Sequence, residues 1–204
     1  MCAGMAVPLV ACGGGDSQAA QDEQPASVSS SADDGPYAGR ELAEPKARPA
    51  FTLTDQTGAV FDFAARTAGQ PTLLFFGYAN CPDVCPTTMA DVAIALRSTP
   101  ADVAARTQVV FVTTDPARDT PEVLGAYLDQ FDADLATQFT GLTGDQAQVE
   151  QAQLAAGVPL AEDMRQTHSS LLLLYGTDGQ ADVAFDAENT GADIAHDLAL
   201  VAAG

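Results

Sequence analysis

TLLFFGYANCPDVCPTTMADVAIALR, residues 72–97, contains a change of period that decides the fold. TLLFFGY (72–78) is a nearly continuous apolar run rich in aromatics, the pattern of a short strand covered on both faces. MADVAIALR (89–97) repeats its apolar residues at helical spacing, so a helix is expected from about Pro86 to Arg97. A buried strand feeding a helix through a short loop begins a βαβ unit. The loop itself holds CPDVCP (81–86), two cysteines with three residues between them and a proline after each.

The pattern continues in both directions. VVFVTT (109–114) reads as a second buried strand. Thr120-Pro121-Glu122 then opens a helix with an N-cap, a proline at the first position and acid in the first turn, running to about Phe131. GDQAQVEQAQLAAG (144–157) gives a helix closed by Gly157, and SLLLLY (170–175) a third core strand. Thr177 to Gly179 make a tight turn, DVAF (182–185) a fourth strand and ADIAHDLALVA (192–202) a closing amphipathic helix. Upstream, AFTLTD (50–55) and VFDF (60–63) flank Gln56-Thr57-Gly58 as a hairpin. The expected order is hairpin, then β-α-β-α-α-β-β-α, an α/β domain with a central mixed sheet flanked by helices. It resembles a thioredoxin-like fold with an N-terminal β-hairpin added.

The 204 residues allow one domain with a full core plus a tail. Eight Lys and Arg against 28 Asp and Glu give a net charge of −20, which makes nucleic acid and bare anionic lipid surfaces poor partners; the acid either attracts a cation or a basic protein surface or serves only to keep the chain in solution. MCAGMAVPLVACGGG (1–15) is apolar and small, and the composition then turns acidic and Ser-rich. Leu9-Val10-Ala11-Cys12 resembles a bacterial lipobox, which makes Cys12 a lipid anchor. Without Lys or Arg before Arg40, residues 1–12 match a lipoprotein signal shortened at its start. Residues 13–45 are expected to be a disordered acidic tether and 46–204 the folded domain. No run of 18 apolar residues follows that could span a bilayer.

If Cys2 and Cys12 serve targeting, Cys81 and Cys85 are the mature domain's two thiols. A bridge across so short a loop restrains little unfolded-chain entropy, so stapling is a weak reason for the pair. Thiolates are soft ligands, suited to Cu(I), Zn or iron–sulfur clusters. With SLLLLY antiparallel beside TLLFFGY, His168 arrives at the cysteine loop. The end of VVFVTT brings Asp115 and Asp119 to the same rim as outer-shell or docking groups. Cys85 is expected to cap the helix, whose N-terminus lowers thiol pKa. Low-pKa cysteines there also suit thiol–disulfide exchange, with Cys81 and Cys85 as the catalytic pair. A peroxiredoxin-type peroxidase is weaker, because threonines follow Cys85 rather than precede it. His196 reads as a surface or half-buried residue, Met89 as core and Arg118 as the partner of its flanking aspartates.

FFGYANCPDVCPTTM (75–89), TTDPARDTPEVLGAYL (113–128), GLTG (141–144) and THSS (167–170), in that order and spacing, resemble the Sco (SenC) family of copper-binding proteins of cytochrome c oxidase assembly. The resemblance covers roughly residues 45–204. It implies Cys81, Cys85 and His168 as copper ligands, for Cu(I) and, with a further ligand such as water or Asp115, for Cu(II). It also implies a membrane-tethered, extracytoplasmic chaperone. Its recipient would be the copper A subunit of the oxidase, with another periplasmic copper chaperone as a further partner. Reduction of that subunit's cysteines is the alternative. Tyr78-Ala79-Asn80 and Gln166-Thr167 depart from the family's usual flanks.

Overall fold

Leu73, Leu74, Phe75 and Phe76 are each at most 2% exposed, so the run at 72–78 is covered on both faces as its composition requires. The computed structural model describes Met1, residues 35–160 and residues 171–203, and the elements below lie in one unit, Asp33–Gly204. In chain order they are β1 (Arg40–Ala47), β2 (Thr52–Asp55), β3 (Val60–Asp62), α1 (Phe63–Arg66), β4 (Thr72–Gly77), α2 (Val84–Ser98) and α3 (Ala101–Arg106). There follow β5 (Gln108–Thr113), α4 (Pro121–Asp132), β6 (Thr140–Thr143), α5 (Gln146–Ala155), β7 (Leu172–Tyr175), β8 (Gln180–Phe185) and α6 (Gly191–Ala203).

The strands form one mixed sheet in the order β1-β8-β7-β4-β5-β6-β2-β3. β4, β5 and β6 run parallel, while β7 lies antiparallel to β4 with Thr72 opposite Tyr175 and Leu74 opposite Leu173. Alternate residues of β4 serve two cores. Leu73 and Phe75 pack with Met89, Val92 and Leu96 of α2, Leu124 of α4 and Leu198 of α6. Leu74 and Phe76 pack with Phe63 and with Val149 and Ala152 of α5. The expected hairpin is present as β2 and β3, attached through β2 to β6.

Four elements depart from the sequence-based order. α1 and α3 are short turns of helix between expected elements. β6 stands between α4 and α5, where helix was expected to follow helix. Its Gly141 lets α4 come close: a Cβ there would stand 2.9 Å from Leu128 Cδ1 and 3.1 Å from Leu124 Cβ.

β1 corrects the domain boundary. It is polar, largely exposed and contains Pro45, which reads as tether, yet it pairs antiparallel with β8 as an edge strand with a register shift between Glu41 and Lys46. The folded part therefore begins before residue 46, and residues 35–45 do not belong to a disordered spacer. Ahead of β1, the N–H groups of Ala38 and Gly39 donate to the carboxylate of Asp197 on α6, at 2.7 and 2.8 Å. Residues 2–34, with most of the expected signal segment and tether, lie outside the described residues.

A chain beginning at Lys46 loses this pairing and leaves Asp197 without its backbone donors. Relative to a chain beginning at Gly35 it is expected to be less stable by at least about 2 kcal/mol, read as a lower urea midpoint. Equal midpoints would return residues 35–45 to the tether.

Candidate metal centre

Where β4 and β5 stop, their ends stay joined: the N–H of Thr114 donates to the Gly77 carbonyl at 2.6 Å. The loop then turns with the Cys81 N–H on the Tyr78 carbonyl, 3.2 Å. Asp83, not Cys85, is the N-cap of α2, and Cys85 is the helix's second residue. Pro86 sits in the first helical turn, where a missing N–H loses no intrahelical bond. That placement explains why the helix starts before the proline rather than at it.

The Cys85 N–H donates to Cys81 Sγ at 3.4 Å, and both thiols are free. Their environments differ. Cys85 is 2% exposed, its sulfur lodged over Gly77, where an added Cβ would come within 2.9 Å of it. Cys81 is half-buried. Burial pushes the Cys81 thiol up, but hydrogen bonds from the Cys85 thiol, the Cys85 and Asp83 N–H groups and the Tyr78 hydroxyl outweigh it and hold its pKa below the ordinary thiol value. Cys85 goes the other way. Burial first, and then the hydrogen bond with Cys81, raise its thiol pKa well above the ordinary value. The helix N-terminus expected to favour both thiolates is thus overridden at Cys85 by desolvation.

Of the two aspartates expected at this rim, Asp119 anchors the loop. It is 2% exposed, and its Oδ2 accepts the Ala79 N–H at 2.9 Å and the Thr113 hydroxyl at 2.6 Å. One carboxylate thereby ties the cysteine loop to the end of β5. Asp115 instead receives the Arg118 guanidinium, while its carbonyl accepts the N–H groups of Arg118 and Asp119, each at 3.0 Å. The ion pair of Arg118 is thus with Asp115, and Asp119 is turned inward.

His168 lies outside the described residues, as does Cys12. Met89 is fully buried in the core, as expected. The His196 side chain is 56% exposed and meets Asp197 at 2.8 Å. Tyr127 on α4 was not foreseen: it is 8% exposed and its hydroxyl lacks a hydrogen-bond partner. Its place between Leu124 and Leu128 at helical spacing was a signal that the ring, and with it a polar atom, points inward.

Two outcomes check this geometry. Iodoacetamide is expected to modify Cys81 before Cys85, with a rate that rises at lower pH than a free thiol's because thiolate forms below the ordinary pKa; peptide mapping against pH reads it. Asp119→Ala, which strands a buried N–H and hydroxyl, is expected to cost about 2–4 kcal/mol by urea unfolding and to speed modification of Cys85. A wild-type rate at Cys85 would mean that the loop does not depend on this carboxylate.

The SCO1/SenC family model matches residues 40–203. A Stutzerimonas stutzeri protein named for copper binding is 36% identical over 144 residues, 68% of each chain. The SCO2-like protein of Rickettsia felis is 38% identical over 103 residues, 49% of this chain and 46% of that one, so the chain spans about half the length of this relative. Bradyrhizobium japonicum ScoI, solved with copper bound, superposes with a TM-score of 0.62 at 34% identity over 75% of this chain and 97% of that one. Yeast Sco1 with copper bound gives 0.63 at 28% identity over 76% and 87%. The matched span opens at the first residue of β1 and closes at the last of α6, taking in the whole described sheet: the chain belongs to the SCO1/SenC family and has its thioredoxin-like fold.

Proposed function

We propose that the domain carries copper outside the cytoplasm and delivers it to the copper A centre of cytochrome c oxidase, with Cys81, Cys85 and His168 as ligands. The observation that carries the reading is a pair of free thiols on the edge where β4 ends and β7 begins. His168 stands three residues before Leu171, within about 10 Å of chain at full extension. The donor set fits the cargo: two thiolates and a neutral imidazole suit a soft monovalent ion. Cu(II) would draw a further oxygen ligand from water or Asp115. Bradyrhizobium japonicum ScoI and yeast Sco1, both solved with copper bound, support copper as the cargo.

The chain's own groups suit a carrier. Asp119 fixes the loop while Cys81 stays accessible, so a partner's ligand can replace it first. A net charge of −20 draws a basic partner surface, the oxidase subunit or another periplasmic copper chaperone. Among the described residues no helix is long and apolar enough to cross a membrane. Attachment to the bacterial cell membrane would then come from lipid on Cys12, with residues 13–34 as spacer.

A second reading has its own observation. An accessible thiol with a lowered pKa beside a buried one with a raised pKa is the asymmetry of thiol–disulfide exchange. In that reading Cys81 attacks a disulfide of the oxidase subunit and Cys85 resolves the mixed disulfide. The substrate disulfide gains two electrons as Cys81–Cys85 is oxidised.

Anaerobic Cu(I) titration of the reduced protein separates the two. Carriage calls for one copper per monomer and at least about tenfold weaker retention in His168→Ala, a loss that outer-shell changes alone can reach. Unchanged retention in that variant would remove His168 from the site. Insulin reduction that survives His168→Ala favours exchange.

A further inference from the structure

A cavity of about 180 Å³ lies beside the cysteine edge, between the start of α2 and the turn that joins β8 to α6. Its floor is apolar: Leu172 at the start of β7, Phe185 opposite it at the end of β8, and Ile194 of α6, each at most 2% exposed. Three carboxylates stand around it, those of Asp83, Asp91 and Asp186. Asp83 is the N-cap of α2 and lies two positions from each cysteine, so a group that fills the groove is held next to the thiols. Past Asp91 the apolar surface continues into Ile94, which is 49% exposed and covers Gly191, where an added Cβ would come within 2.7 Å of its Cγ2.

The carboxylates keep capacity for an incoming donor. Asp91 spends Oδ1 on the Gly191 N–H at 3.1 Å, and Asp186 spends Oδ1 on the Glu188 N–H at 2.9 Å. Asp83 makes no side-chain bond to its own helix. Among the described residues none of the three is in an ion pair: Arg97 is taken by Asp134, Arg118 by Asp115 and His196 by Asp197. Arg48 is spent on the hydroxyls of Thr67 and Thr72 and the carbonyls of Gln70 and Gly176. A second copy of the chain brings the same net charge of −20, so repulsion opposes it. The sequence ahead of Arg40 brings only acid, in Asp16, Asp22, Glu23, Asp33 and Asp34. An apolar floor under an acidic rim matches a side chain with an apolar stem and a cationic head.

We propose that this groove is the docking site for a basic segment of the partner protein, an arginine or lysine flanked by apolar residues. Its stem lies on Leu172, Phe185 and Ile194, and its charged head meets Asp91 and Asp186. The inference rests on the reading that the cysteine edge exchanges copper or electrons with another protein, and it names the surface by which that protein is held. Recognition thereby falls to residues other than the thiols. Cys81, half-buried, does not line the groove and stays open to the docked partner.

The peptide acetyl-Gly-Leu-Arg-Leu-Gly-amide, titrated into the reduced, metal-free chain and followed by amide NMR, tests this without copper, so its outcome is separate from that of the Cu(I) titration. Saturable shifts are expected at Thr88, Ala187 and Ile194, and none from the same peptide with Glu in place of Arg. Asp91→Asn combined with Asp186→Asn keeps the oxygens that accept the Gly191 and Glu188 N–H groups and removes both charges. Affinity for the arginine peptide should then fall about fivefold. Asp102→Asn combined with Asp129→Asn, at exposed positions of α3 and α4 outside the groove, changes the net charge equally. That pair should leave the affinity within about twofold. Equal losses in the two double variants, equal binding of the Glu peptide, shifts confined to other residues or no saturable shift would each overturn the proposal. So would resonances of the groove that move with protein concentration alone, which give it to a second copy. Groove shifts produced by Arg165→Ala in the peptide-free chain would give it to the chain's own arginine and overturn the proposal as well.

Discussion

The antiparallel pairing of β7 with β4, fixed by Leu73 opposite Leu174 and Leu74 opposite Leu173, brings the start of one strand to the end of the other. A one-residue slip would exchange the two faces of β7. Both faces are packed, Leu172 and Leu174 against the α2 side and Leu173 and Tyr175 against the α5 side, so a slip would misplace four buried side chains. The parallel pairing of β4 with β5 adds the turn that carries Asp115 and Asp119 to the same edge. Residues spread from 77 to 119, and the chain entering β7, are gathered there by strand direction alone.

What strand direction gathers, local bonds make specific. Two sulfurs four positions apart could sit in equivalent surroundings, but here the α2 start buries one and leaves the other half-open. Gly77 provides the room for Cys85, and the hydrogen bonds converging on Cys81 stabilise its anion. Asp119 holds the loop with a carboxylate satisfied by Ala79 and Thr113. A buried charge without such donors would cost more than it could return. The two sulfurs thus differ in acidity, Cys81 held below the ordinary thiol value by the hydrogen bonds it receives and Cys85 raised above it by burial.

Much of this was legible in the chain. The continuous apolar runs gave β4, β5 and β7, and the Thr120-Pro121 signal gave the start of α4, because burial on both faces and capping chemistry leave local marks. The asymmetry of the thiols was not legible, since it depends on how deep the second helical residue sits rather than on its distance from the helix end. β1 was missed because an exposed edge strand needs no apolar alternation, and its partner lies some 140 positions away (Arg40 opposite Ala184). β6 was missed because four residues with a central glycine look like a turn until α4 packs on them. The inward turn of Asp119 was foreseen only as a location: nothing in DPARD distinguishes the aspartate that pairs with Arg118 from the one that the fold buries.

The central claim is that two sulfurs between β4 and α2 and one imidazole from the chain ahead of β7 hold a single ion. X-ray absorption of the Cu(I)-loaded protein, compared between wild type and His168→Ala, tests it most directly. The account calls for two sulfur scatterers and one nitrogen with imidazole outer-shell features, the nitrogen disappearing in the variant. An all-sulfur shell, or an identical spectrum in the two proteins, would contradict it.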